Sequence, residues 1–166
     1  KKRYVLWLGD ESSDQLRRMP KCWERVLAVR EFRLSSKSSQ TQKIADTPTR
    51  FHVENMPTGT SILVPKVSSE RRQYIPLGFV SPEAFCSDLV FLIQNATLYH
   101  FGVLHSRIHN AWMRTVCGRL ESRYRYSGGV VYNNFPWPGA TASNKEEPVD
   151  HLVSEDVRKK IEAAAQ

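Results

Sequence analysis

Glu121 stands alone as an acid in "GRLESRYRYSGG" (118–129), among arginines and tyrosines. With the two-residue period of a strand, Glu121, Arg123 and Arg125 share one face, and Leu120, Ser122, Tyr124 and Tyr126 the other. A surface that only holds phosphate gains nothing from a carboxylate. One that meets the edges of base pairs has a use for it: an arginine fork matches the N7 and O6 acceptors of guanine, and a carboxylate accepts from the N4 amine of cytosine. Glu121 and Arg123 together therefore suit a single C·G pair. The competing reading is an ion pair on a solvated strand, worth under about 1 kcal/mol. Pattern alone leaves both open, and the tyrosines of the other face read as core.

Basic groups gather around this stretch. Between Val103 and Tyr126 there are five arginines and two histidines against the one acid. Arg107, Arg114 and Arg119 are placed to follow a phosphate backbone, releasing counterions as they bind, or to form a solvated helix face. "SSK" at 35–37, with Ser36 and Lys37, and "SSERR" at 68–72, with Ser68, Ser69 and Arg71, pair hydroxyls with cations in the manner of phosphate contacts or surface turns.

His105 and His109 have the four-residue spacing of two helical metal ligands, but no third ligand completes a zinc set nearby, so packing or surface roles are expected and no metal. The chain carries no GxSxG, P-loop or glycine-rich strand-to-helix turn, and no catalytic residue is assigned. "YNNFPWP" (132–138) is faintly similar to the Asn-Pro-Pro-aromatic motif of amino-methyltransferases, yet lacks its adjacent prolines and any preceding cofactor segment. It is expected to pack its aromatics on the core.

The elements that must position these groups follow from periodicity. Residues 11–34 place Leu16, Met19, Trp23, Val26 and Leu27 at helical spacing, in one helix or two short ones, with Pro20 at the first turn of the second. "RLSSKSSQTQK" (33–43) is a surface loop or a helix start. "SILVPKV" and "QYIPLGFV" read as a hairpin joined through "SSERR", with Pro65 and Pro76 at edges or bulges. "SPEAFCSDLVFLIQNA" is expected to be a helix with Ser81 as N-cap and Pro82 at its first position. "HSRIHNAWMRTVCG" is a second, with Ile108, Ala111, Trp112, Thr115 and Val116 inward, Arg107 and Arg114 outward, and Gly118 as its stop. The ribbon 119–126 then turns at "SGG", where Gly128-Gly129 supply positive backbone angles, and returns as "VVYNN". "FPWPGATASNKEEP" marks a boundary. "SEDVRKKIEAAAQ" is a capped helix with too few apolar residues to stand alone, and docks elsewhere.

Bulk properties narrow the class. The 166 residues fit one domain of ordinary size. A net charge of +7 favours a polyanionic partner or simple solubility. Cys22, Cys86 and Cys117 are odd in number and widely spaced, which suits buried thiols in a reducing compartment. The longest apolar run, "LVFLI", is too short to cross a membrane. The opening "KKRYVLWLG" lacks a signal-peptide cleavage site and reads as a cut inside a longer cytoplasmic polypeptide.

"RQYIPLGFV", "FGVLHSRIHNAWMRTVCGRLESRYRYS" and "VYNNFPWP", in that order, resemble the target-recognition domain of MmeI-like restriction–modification enzymes, over roughly residues 20–138. Such enzymes join an endonuclease, an adenine-N6 methyltransferase and a DNA-reading domain in one polypeptide. The resemblance implies base reading by Glu121 and Arg123, next to the methylated adenine, with Ser122 and Arg125 beside them. It implies a second pair, Lys66 in "VPKVSS" with Asp88 in "FCSDLV", which fits a G·C pair by the same donor and acceptor logic. Members with a lysine and an aspartate in place of Glu121 and Arg123 would present the opposite arrangement.

The expectation is an α+β domain of mixed or antiparallel sheets and hairpins with amphipathic helices. Residues 1–138 would recognise double-stranded DNA, and 139–166 form a linker and the start of a C-terminal helical tail. The parent would carry the methyltransferase and nuclease domains and bind S-adenosylmethionine there; no cofactor is expected in this stretch. Two other classes are an RNA-binding module stacking bases on Tyr124, Tyr126 and Trp137, and a protein-interaction domain whose charge is incidental.

Overall fold

The computed structural model describes residues 4–9, 11–141, 143 and 147–166. They form two compact units, Lys1–Glu54 and Asn55–Gln166. The architecture is α+β, as expected.

In the first unit, helix α1 (Ser13–Arg17) is fixed by a capping box between Ser12 and Gln15. Helix α2 (Pro20–Leu34) has Pro20 at its first position, where the missing N–H costs nothing. Helix α3 (Ser39–Lys43) starts at Ser38, whose hydroxyl accepts from the Thr41 N–H. Leu8, Leu16 and Val26 form the core with Trp23 against it. Met19 and Leu27, expected on the same stripe, are exposed. Arg33 is buried and donates to the carbonyls of Ile44, Thr47 and Arg50 at 2.7–2.8 Å, fastening the 44–50 segment to α2.

In the second unit the run "SILVPKVS" serves two sheets. Strand β1 (Ser61–Pro65) ends at Pro65 and β2 (Val67–Ser68) begins one residue after Lys66. With β3 (Gly78–Val80) and β4 (Val90–Ile93), β1 forms an antiparallel sheet of order β3-β1-β4. Farther along lie β5 (Gly118–Leu120) and β6 (Arg123–Arg125), which pair with β2 in the order β2-β6-β5. β1 and β3 do pair, but "SSERR" lies in a long connection between them instead of a tight turn. Pro65 closes a central strand, not an edge. Having no N–H to donate, it marks where the chain leaves one ladder for the other.

Three further expectations are corrected. "SPEAFCSDLVFLIQNA" is not a helix: Ser81–Ala84 makes a single turn, and Val90–Ile93 is β4. Branched and aromatic side chains paired with β1 outweigh the Ser-Pro start signal. The ribbon turns at Glu121–Ser122, not at "SGG", since Leu120 already faces Arg123. Gly128 and Gly129 have ordinary negative φ, and Gly128–Tyr132 is a π-helical turn that buries Val131, not a returning strand. Helix α5, by contrast, falls where expected.

Helix α4 (Leu98–Leu104) and α5 (Arg107–Val116) carry much of the core. The buried face of α5 is His109, Asn110 and Met113, rotated from the expected one; Ile108 is 74% exposed. Asn110 is tolerated here because it is satisfied: its Oδ1 accepts from Ile75 N–H, and its Nδ2 donates to the Ser106 carbonyl. Phe135 and Trp137 of "FPWP" are buried with Tyr99 and Leu104, as expected of that segment. Helix α6 (Glu155–Ala164) docks on α4, where a side chain at Gly102 would meet Ile161 at 2.9 Å. No helix of the described residues is long and apolar enough to cross a membrane.

Candidate nucleic-acid interface

The β5–β6 hairpin pairs Gly118 with Arg125, Arg119 with Tyr124 and Leu120 with Arg123, leaving Glu121 and Ser122 as a two-residue loop. Glu121 takes a φ of +57°. A positive φ at the first loop residue suits the right-handed twist of the strands and favours glycine; a larger side chain there costs about 1–2 kcal/mol. The carboxylate Oε2 lies 2.8 Å from Arg123 Nη2, with side chains 78% and 45% exposed. So Glu121 belongs to the turn and not to a strand face, yet it meets Arg123 at the solvent-facing tip. Arg125 is exposed on β6.

Several side chains hold this tip from below. Arg119 Nη1 donates to the Ser122 carbonyl at 3.1 Å, and its guanidinium lies 4.1 Å from the Tyr124 ring centre. Arg114, on α5, is 5.9 Å from the same ring and donates to the carbonyls of Arg72 (3.0 Å) and Gln73 (2.6 Å). Glu70 was not singled out in the sequence. Its carboxyl is held below the usual range by its own backbone N–H, then by the Ser122 hydroxyl, with Arg71 and Arg119 nearby. Only the register reveals it: Ser68 faces Tyr124, so Glu70 falls beside the hairpin loop.

The second expected pair lies at the junction of the sheets. Lys66 N–H donates to Leu89 and its carbonyl accepts from Tyr126 N–H, both at 2.9 Å. Lys66 is half-buried, with its ammonium 4.9 Å from the centre of the Phe91 ring. Asp88 is exposed in the adjoining turn, not in a helix, and accepts from the Ser87 hydroxyl at 3.1 Å.

The remaining candidates separate. Arg107 is exposed at the first position of α5, and Arg71 is exposed in the 69–72 turn, where its N–H donates to Ser69 Oγ. Ser68, on β2, is only 8% exposed. Ser36 and Lys37 belong to the first unit, between α2 and α3, with Ser36 Oγ accepting from Ser38 N–H.

Of the three aromatic platforms an RNA-binding reading needs, Tyr126 and Trp137 are buried and only Tyr124 is partly open. Tyr126 OH lies 3.2 Å from His109 Nε2, and burial pushes its pKa strongly up. The same burial pushes His109 down to about 4, against an opposing pull from the Leu104 backbone. His105 stacks on Phe101 and so is turned to packing. All three cysteines are free thiols, Cys86 buried and the others half-buried.

The sequence model of the family described as "MmeI, target recognition domain" matches residues 1–139. The chain belongs to the MmeI target recognition domain family. A solved structure of the Type IIL restriction-modification enzyme MmeI in complex with DNA superposes with a TM-score of 0.82 at 42% identity, over 96% of this chain and 20% of that one. DNA methyltransferase A of Bacillus subtilis (strain 168) is 39% identical over 145 residues, 87% of this chain and 16% of that protein. This MmeI-type chain thus spans a fifth or less of the relatives it matches.

Proposed function

We propose that this chain recognises a specific sequence in duplex DNA for a bacterial restriction–modification protein that methylates adenine at N6 and cuts DNA. The observation that carries this reading is the exposed Glu121–Arg123 pair at a hairpin apex, kept at a backbone position that favours glycine. A carboxylate and a guanidinium 2.8 Å apart in water do little for stability. Turned to a C·G pair in the major groove, each finds its complement.

On this reading Ser122 and Arg125 flank the pair, and Lys66 with Asp88 addresses a G·C pair. Arg107, Arg71, Ser69, Lys37 and Ser36 contact the backbone. Ser68 drops out because it is buried. S-adenosylmethionine is bound by the methyltransferase domain of the same polypeptide, which works in the cytoplasm beside a nuclease domain.

The test is selection of a randomised duplex pool by the full-length protein, with and without the paired exchange E121K/R123D. The exchange should alter preference at one base pair by about 5–150-fold, the span of about 1–3 kcal/mol per bidentate contact. An unaltered site with undiminished discrimination overturns the assignment. Preference for single-stranded RNA over duplex DNA favours the RNA-binding class, and no retention of either nucleic acid favours the protein-interaction class.

A further inference from the structure

Arg114 and Arg119 have the composition and the neighbourhood of phosphate contacts, but their guanidinium groups are already directed to main-chain oxygens. Arg119 reaches back to the Ser122 carbonyl within the hairpin loop. Arg114 crosses from α5 to two successive carbonyls, Arg72 and Gln73. Both lie within 6 Å of the centre of one ring, Tyr124, which is half-buried on β6 midway between the tip and the core. Tyr124 is paired across the ladder with Arg119 on one side and Ser68 on the other.

We infer that Arg114, Tyr124 and Arg119 are positioning residues that set where the Glu121–Arg123 tip stands, and that the two arginines are not phosphate ligands. This rests on the base-reading role proposed for the tip. A two-residue loop with a non-glycine residue at positive φ has a competing relaxed geometry, so the displayed one needs support from outside the loop. Arg119 supplies it by binding the carbonyl of the second loop residue. Arg114 supplies it by pinning the 72–73 backbone, so that the turn carrying Glu70 stays beside Ser122. The Tyr124 ring is the common surface both guanidinium groups face, held by attraction between each cation and the ring. Rigid support matters here because a readout contact displaced by about 1 Å loses most of its discrimination.

A phosphate ligand and a positioning residue leave different signatures. Losing a phosphate contact weakens binding to every sequence and flattens the dependence of log affinity on log salt by about one. Losing a positioning residue leaves that slope in place and erases preference where the tip reads. The experiment measures both on the full-length protein with a randomised duplex pool and a salt titration, for R114A, R119A, Y124A and Y124F. The expected result for the three alanine variants is a loss of at least about fivefold in preference, confined to the base pair that E121K/R123D changes, with slopes as in the wild type. Y124F keeps the ring and should retain wild-type preference.

A slope reduced by one with preference intact makes the arginines phosphate ligands and overturns the inference. So does preference lost equally at all positions, which is general unfolding, or no change in either quantity. If E121K/R123D itself leaves the site unaltered, the base-reading role fails first. If that exchange redirects the site while the alanine variants do not affect it, only the positioning role fails.

Discussion

Glu121 and Arg123 meet at 2.8 Å across a turn whose left-handed backbone is carried by Glu121 itself. The residue that holds the carboxylate is thus also the residue at which the hairpin is strained. Stability and chemistry pull in opposite directions at one position, and that gives a sharp test.

Glu121→Gly should raise stability, by up to about 1 kcal/mol, because glycine takes positive φ without the Cβ clash while losing more chain entropy on folding. The same change should abolish preference at one base pair. Denaturant unfolding alongside pool selection measures both. A variant less stable than the wild type would show that the turn holds no strain.

Arg107, exposed at the start of α5, is the plainest phosphate ligand that the proposed reading leaves once Arg114 and Arg119 are engaged elsewhere. Arg107→Ala should weaken binding to all duplexes alike and lower the salt slope by about 0.9. A salt titration with two unrelated duplexes decides it, and an unchanged slope removes Arg107 from the interface.

In the first unit, Arg33→Met keeps the apolar stem but removes three donors from the Ile44, Thr47 and Arg50 carbonyls. The expected cost is about 2–4 kcal/mol, read from the unfolding midpoint, since the loop loses charged donors it has nothing to replace. A cost below about 0.5 kcal/mol would mean that water serves those carbonyls equally well.

His109 makes stability depend on pH. Its pKa in the folded protein is pushed down to about 4 from an ordinary 6.5, chiefly by burial. Between those values the unfolded chain binds the proton and the folded one does not. Stability is therefore full above about pH 6.5 and is lost as pH falls toward 4, at roughly 1.4 kcal/mol per unit, with no further loss from this group below that. His109→Gln, still able to hydrogen-bond Tyr126, should flatten the profile of unfolding free energy between pH 4 and 6.5. A slope surviving in that variant assigns the effect to other groups.

How far these features could be read beforehand depends on whether they are local. Pro20 at a helix start and Gly118 after α5 are short-range signals, and both elements lie where the pattern puts them. The α5 core face was misread because burial chose His109 and Asn110, polar residues whose partners, Tyr126 and Ile75, come from distant segments. "DLVFLI" followed a Ser-Pro start signal, and only pairing with Ser61–Pro65 makes it a strand. At the site, residue chemistry pointed to Glu121 and Arg123, but strand alternation placed the hairpin loop wrongly. Glycines at 128–129 advertised a turn, while the actual one falls on a glutamate. Glu70 and the engagement of Arg114 were invisible, since both depend on which chain segment lies across the ladder.

Lys66 lends its amide hydrogen to one sheet and its carbonyl oxygen to the other. A single residue thus couples the 87–89 turn to the β6 side of the ribbon, like a shared hinge pin. Grafting either segment alone from a relative would drag on its neighbour. Exchanges that redirect this protein to new sites should therefore replace side chains on the existing backbone, or transplant 61–68 together with both segments it serves.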